Sequence, residues 1–333
     1  VKLLQKGIDL GMSLIDTAEV YGNGHSEELV GEAVKGRRDR VFIASKFSPE
    51  HSRYEDVISA VENSLQRLQT DRLDLLQTHW RNYQVPLEET ARAMTQLVLS
   101  GKVRYLGVSN FTVRETKELQ HHLDGQEIVS LQQEYNTLEH SIETTILPFC
   151  QAEQKTLIAY TPLLHRPFEP GEPAADVMAQ ITRKYSLSTA QVILNWLASK
   201  EQVVAIPKSG SPAHLAENAS ALDVEITHQD LEELSRIFVG QVEQIPTGII
   251  KVADDLHRNV YRTREEAVEN RFHNNPSPVE MSREILKGEL LKPIKVKRDP
   301  EREGHYLLVE GRVKYWGWVI AYGEEQPIPA LVL

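Results

Sequence analysis

The stretch LIDTAEVYGNGHSEELVGEAV, Leu14 to Val34, decides how the rest of the chain is read. A short apolar run, Leu14-Ile15, ends on an acid, Asp16. Tyr21 follows at the edge of a Gly22-Asn23-Gly24 loop, and the chain then resumes as an amphipathic helix. Strand, loop and helix in this order form half of a βαβ unit. A buried strand ending on a carboxylate opens onto a face where that charge is used.

The rhythm continues outward from there. Strands are predicted at Leu14–Thr17, Val41–Lys46, Leu73–His79, Arg104–Val108, Ile128–Gln132, Leu157–Thr161 and Val203–Pro207. They are short, rich in Val, Ile and Leu, and mostly unalternating, which suits parallel strands covered on both faces. Between them, VPLEETARAMTQLVLSGK places Leu87, Ala91, Met94 and Val98 on one helical face, with Pro86 at the first helical position and Gly101 as terminator. YEDVISAVENSLQRLQT does the same with Val57, Val61, Leu65 and Leu68, and Ser188 is a candidate N-cap for the apolar helix after it. Seven strands over about 240 residues suit an α/β fold, a (β/α)8 TIM barrel lacking its first strand. A doubly wound open sheet is the alternative.

Composition narrows the function classes. The 333 residues carry 37 Lys+Arg against 48 Asp+Glu, a net charge of −11, which disfavours nonspecific binding to nucleic acid or anionic membranes. One cysteine, Cys150, leaves no disulfide framework and no thiolate metal site, so a cytoplasmic protein is expected. No apolar run reaches the roughly 18–20 residues that span a bilayer. The chain begins at Val1 with a helix already leading into a strand, so the expectation is that a first barrel strand has been cut away.

Catalytic groups of a parallel α/β barrel sit at the C-terminal strand ends. Asp16 ends the first strand, Lys46 the second and His79 the third, with Tyr21 in the loop after the first. Singly, each has an ordinary explanation as a cap, a surface charge or packing. Together at one face they make a coherent set. A phenol is a poor acid at neutral pH, and a nearby ammonium eases its proton donation by stabilising the phenolate. A carboxylate keeps the ammonium charged, and an imidazole orients a substrate carbonyl.

LIDTAEVYGNGHSEELVGEAV, FIASK, DLLQTHW and GKVRYLGVSNF, in this order, resemble the aldo/keto reductase superfamily over residues 1–238. The resemblance implies reduction of aldehydes or ketones by hydride transfer from NADPH, with Asp16, Tyr21, Lys46 and His79 as the catalytic tetrad and Tyr21 as proton donor. It implies that Ser109, Asn110 and Gln132 bind the nicotinamide carboxamide and that Tyr160 stacks on its ring. Lys208, Ser209, His214, Glu217 and Asn218 would hold the adenosine end, and Trp80 would line the substrate pocket. His214 stands where many members have an arginine, and imidazole lacks that fork of donors, so NADPH with NADH also possible is the expectation. Short connections after Trp80 and Thr161 imply an open pocket.

After Phe238 the texture changes, and residues 239–333 read as a separate α+β domain, nearly neutral with 14 Lys+Arg and 15 Asp+Glu. A helix is expected in PVEMSREILKGELL, strands in PIKVKR, YLLVEG and IPALVL, and a helix in RVKYWGWVIAYG. This domain, about 239–333, resembles the ParB/sulfiredoxin-like fold through LLKPIKVKRDPEREGHYLLVEGRVKYWGWVIAYGEEQPIPALVL. That resemblance implies a nucleotide at the turn made by Gly311, Arg312 and Lys314; the sulfiredoxin cysteine is absent, and nucleic acid is not the expected partner. The alternative to an enzyme is therefore a nicotinamide-sensing regulator whose tail binds a nucleotide or nucleic acid. No metal site and no Gly-x-Ser-x-Gly, His-Glu-x-x-His or Walker sequence emerges.

Overall fold

The computed structural model describes residues 1–137, 139–163, 173–238, 242–252, 261–274, 276–288 and 293–332. The connection following Thr161 and the end of the PVEMSREILKGELL segment therefore lie partly outside the described residues. The chain divides into two units, Val1–Phe238 and Val239–Leu333.

The first unit runs α1 (Lys2–Asp9), β1 (Leu14–Asp16), α2 (His25–Val34), β2 (Phe42–Phe47), α3 (Tyr54–Leu68), β3 (Leu73–Thr78) and α4 (Leu87–Leu99). It continues β4 (Val103–Ser109), α5 (Val113–His122), β5 (Ile128–Glu134), α6 (Ile146–Ala152), β6 (Thr156–Tyr160), α7 (Pro173–Tyr185) and α8 (Thr189–Ala198). β7 (Val203–Ala205), α9 (Pro212–Ala219) and α10 (His228–Phe238) complete it. All seven predicted strands are present. Every neighbouring pair is parallel and the spatial order is β1 to β7 without a break.

That order decides between the two architectures. A doubly wound sheet reverses direction at a switch point, whereas this one winds a single way, as a (β/α)8 barrel does. The packing agrees. Ala44, Leu75 and Ile158 cluster with Leu14, Phe42, Val129 and Ile206, a set drawn from strands or strand ends and from no helix. A sheet curled on itself brings such residues together. The larger apolar core lies between the sheet and the helices.

Local signals explain the helices. Ser188 does cap α8: its hydroxyl accepts from Gln191 N, while Gln191 Oε1 accepts from Ser188 N, a reciprocal capping box. Pro86 is the N-cap of α4 and not its first helical residue, because its ψ of 134° is extended. On α4 it is Leu97, 1% exposed, that joins Leu87, Ala91 and Met94 in the core; Val98 is only partly covered.

The second unit contains β8 (Val242–Pro246), β9 (Ile250–Val252), α11 (Arg264–Val268), α12 (Pro278–Leu286), β10 (Ile294–Arg298), β11 (Tyr306–Glu310), α13 (Arg312–Tyr322) and β12 (Pro327–Val332). Its mixed five-stranded sheet has the order β8-β12-β10-β11-β9. Tyr315, Trp316 and Val319 of α13 pack on Ile294, Val296, Leu308 and Ile328. β8 and β9 were not expected. They are the two edge strands, and β8 buries only Ile245, so their apolar signal is thin.

Candidate active site

Strand register builds the site. Asp16 pairs with Ala44, and Lys46 stands two residues further along β2, so the two side chains are diagonal neighbours on one face. The Lys46 ammonium is 1% exposed and all three of its N–H donors are committed. They go to Asp16 Oδ1 at 2.5 Å, the Thr17 carbonyl at 3.0 Å and Tyr21 Oη at 3.4 Å. Tyr21 itself is 40% exposed. Its oxygen accepts from Lys46, which leaves its own O–H free to donate outward.

The Tyr21 loop is fixed to the sheet by backbone bonds. Thr17 N donates to Ala44 O, Glu19 N to Lys46 O, and Ser26 N to Tyr21 O. His79 follows β3, its N–H donating to Phe47 O, and its ring meets the Tyr21 ring edge-on at 5.6 Å and 83°. Burial pushes the His79 imidazole down to about 4, and the Lys46 ammonium pushes the same way against Asp16, Glu19 and Glu50. His79 is therefore neutral at neutral pH. The structure thus brings Asp16, Tyr21, Lys46 and His79 into one cluster.

A second group adjoins it. Asn110, in the left-handed region at φ 60°, donates from Nδ2 to the His79 carbonyl and to Ser109 Oγ, both at 3.1 Å. Its Oδ1 accepts from Tyr160 Oη at 2.9 Å. Gln132 Nε2 donates to Asp16 Oδ2 at 2.8 Å. That contact was not foreseen, since the resemblance assigned this amide to the nicotinamide carboxamide. Gln77, also unforeseen, donates to the same oxygen at 3.5 Å. The signal for it was an amide side chain two residues before His79, in the strand LDLLQT.

Comparison with known proteins settles what this arrangement belongs to. A profile of the aldo/keto reductase family matches residues 1–238. The chain belongs to the aldo/keto reductase family. It is 39% identical to the methylglyoxal reductase YeaE of Escherichia coli, covering 72% of this chain and 84% of that one. It is 34% identical to the glyoxal reductase of Bacillus subtilis, covering 70% and 82%. Among solved structures, the thermostable aldo-keto reductase Tm1743 in complex with epalrestat superposes with a TM-score of 0.68 at 40% identity, covering 71% of this chain and 86% of that one. An aldo/keto reductase of Klebsiella pneumoniae in complex with NADP and acetate gives a TM-score of 0.67 at 38% identity, covering 71% and 84%.

As an aldo/keto reductase the protein is an oxidoreductase that reduces carbonyl groups with NADPH, and the sensing alternative gains no support. The side chains present fit that cofactor. Ser109 and Asn110 present a hydroxyl and an amide beside the half-buried Tyr160 ring, a donor and acceptor set suited to a carboxamide with an aromatic platform. Lys208 is an exposed cation after β7, next to a turn in which Ser211 N donates to Ser209 Oγ. Glu217 and Asn218 lie on α9, Asn218 buried; His214 is exposed on the same helix. Trp80, directly after His79, is 47% exposed. In the second unit, Gly311 ends β11 at φ 97° and caps α13, whose first turn carries Arg312 and Lys314. A Cβ at Gly311 would lie 2.8 Å from Ile294 Cγ2, so both its backbone angle and its surroundings require glycine. Among the described residues no helix is long and apolar enough to cross a membrane.

Proposed function

We propose that the barrel unit reduces small aldehydes, methylglyoxal among them, through Asp16, Tyr21, Lys46 and His79. When bound, NADPH supplies the hydride. Tyr21 donates its phenolic proton to the carbonyl oxygen, and the Lys46 ammonium stabilises the phenolate left behind. Asp16 holds Lys46 in place. Neutral His79 donates an N–H to the carbonyl oxygen and orients it, and Trp80 lines the mouth of the pocket. Ser109, Asn110, Gln132 and Tyr160 would hold the nicotinamide end; Lys208, Ser209, His214, Glu217 and Asn218 would hold the adenosine end. Without a guanidinium at position 214, discrimination against NADH is weak.

The observation that carries this reading is the commitment of all three Lys46 donors, one of them to the oxygen of a half-exposed phenol. The test is Tyr21→Phe, assayed by methylglyoxal-dependent NADPH oxidation. A loss of about a thousandfold is expected, with NADPH still binding by fluorescence titration. Persistence of turnover overturns the assignment.

Residues 239–333 are read as a ParB-like α+β domain with a nucleotide phosphate at Gly311, Arg312 and Lys314. One feature supports this reading: the strand–Gly311–helix turn, which opens a helix N-terminus whose first turn carries Arg312 and Lys314. Titrating CTP or ATP against the fluorescence of Trp316 and Trp318 tests it; an unchanged signal removes it. A cytoplasmic location is our reading for the chain, supported by its single buried thiol, Cys150.

A further inference from the structure

Beneath the tetrad lies a polar layer that the proposed mechanism does not use. In the strand register, Lys46 pairs with Gln77, Gln77 with Gly107, and Gly107 with Ser130. Paired residues of adjacent strands present their side chains to one face. Gln77 is fully buried, and so is Ser130 at 2% exposed. Gln77 Oε1 and Ser130 Oγ are buried atoms without a hydrogen-bond partner. Gly107 makes room for both: a Cβ there would stand 2.4 Å from Ser130 Oγ and 3.1 Å from Gln77 Cγ. Side chains could not share that space over an alanine without displacement.

An unsatisfied buried amide oxygen is costly, and leucine has nearly the same volume. Departures from local rules of this kind concentrate at functional sites. The contact that Gln77 does make is to Asp16 Oδ2, at 3.5 Å, beside the 2.8 Å bond from Gln132. Lys46 takes the other oxygen, Oδ1. The carboxylate is thus gripped at both ends.

We propose that Gln77 is a positioning residue for carbonyl reduction, holding Asp16 Oδ2 so that Oδ1 stays on Lys46 and Lys46 stays on Tyr21. The inference rests on the reading of the tetrad given above. It also gives the carboxylate a second amide donor if Gln132 is drawn to a carboxamide. The charged and titratable groups around this point are Asp16 and, from the loop after β1, Glu19 and Tyr21; Lys46 from β2; Glu50 from the loop after β2; and His79 after β3. β4 and β5 contribute the uncharged Ser109, Ser130 and Gln132.

Two variants test it, Gln77→Leu and Gln77→Glu, assayed with methylglyoxal and NADPH from pH 5 to 8 and unfolded in urea. Gln77→Leu keeps the shape and removes the unsatisfied oxygen. Its urea midpoint should equal or exceed that of the parent, its KM should stay within about twofold, and its kcat should fall about tenfold. In Gln77→Glu the introduced carboxyl is buried beside an anion, so it stays protonated at pH 5 and can still donate. Its kcat should be near that of the parent at pH 5 and fall about tenfold relative to it by pH 8. His79, held near 4, stays mostly neutral over that range. A Gln77→Leu enzyme with the parental kcat, or one whose stability falls while kcat holds, overturns the proposal. Where Gln77→Leu fails to fold, the Gln77→Glu profile decides: parental kcat at every pH overturns it. Full activity in Tyr21→Phe would instead remove the tetrad reading, a separate outcome.

Discussion

The two units bury polar groups in different ways. The core of the second unit is mostly apolar and aromatic: among its described residues the one buried acid, Glu284, pairs with the exposed Lys287, and the deeper polar contacts are neutral donors given to neutral acceptors. Tyr315 Oη shares its one proton between the Thr247 and Ile250 carbonyls, Trp316 Nε1 donates to the Tyr261 carbonyl, and Tyr261 Oη to Asn270 Oδ1. The barrel unit instead buries charges. Besides Lys46 with Asp16, it buries Glu27, which accepts from Ser45 Oγ and Arg67 Nε, and Asp74, which pairs with Arg38 at 2.7 Å and accepts from Ile43 N. Removing ions from water costs several kcal/mol each, and their attraction repays it only with complete pairing. The comparison therefore asks which barrel pairs hold the fold and which also serve the reaction. Glu27 and Asp74 are closed systems whose partners are structural. The Lys46 system alone among these three ends on a half-exposed hydroxyl.

The strongest way to break that distinction is Lys46→Met. It leaves Asp16 buried without its cation, so the barrel should lose about 3–5 kcal/mol, and methylglyoxal reduction should disappear. Urea unfolding and kcat check both. Glu27→Gln sharpens it from the other side. Arg67 and Ser45 lose an anionic acceptor, at a cost of about 2–3 kcal/mol, while kcat should stay within twofold below the unfolding transition. A large fall in kcat without unfolding would place Glu27 in the machinery and erase the contrast. Tyr315→Phe carries the comparison into the second unit. Two carbonyls lose their buried donor, so about 1–2 kcal/mol should go, with NADPH-dependent turnover unchanged.

These contrasts also show what the sequence could and could not disclose. The seven barrel strands are readable because parallel strands covered on both faces are continuous apolar runs. Asp16, Lys46 and His79 stand out because each interrupts such a run at its end. Gln77 lies in the same strand two residues before His79, but nothing local gives a hint of its partner 61 residues earlier. Glu27 looks like a first-turn helix acid, since nothing local reveals that Arg67, 40 residues on, reaches it. Likewise the Gln132–Asp16 bond spans 116 residues and depends on the sheet curling to bring β5 near β1. β8 and β9 escaped notice because edge strands need little apolar surface. Local pattern fixes elements, whereas the pairings that tune the site are long-range.

The smallest expected effect concerns His79, and its sign follows from linkage. Burial and Lys46 hold the folded imidazole at about 4, below its ordinary value of 6.5. Between those two pH values the unfolded chain binds more protons at this residue than the folded one, so stability rises with pH across that window. The contribution is fully present above about pH 6.5 and is lost as pH falls towards 4. A shift of this size on a fully buried group would be worth ~3 kcal/mol. The ring is only partly buried, and solvent screening reduces this to about 1 kcal/mol. His79→Gln keeps an N–H donor and removes the titration. The difference in urea midpoint between parent and variant should therefore narrow as pH drops from 6.5 to 4. The kcat profile of the parent should show no limb near 6.5 that vanishes in the variant. If such a limb appears, His79 acts as a charged group, and the site's electrostatics differ from the neutral imidazole that its burial imposes.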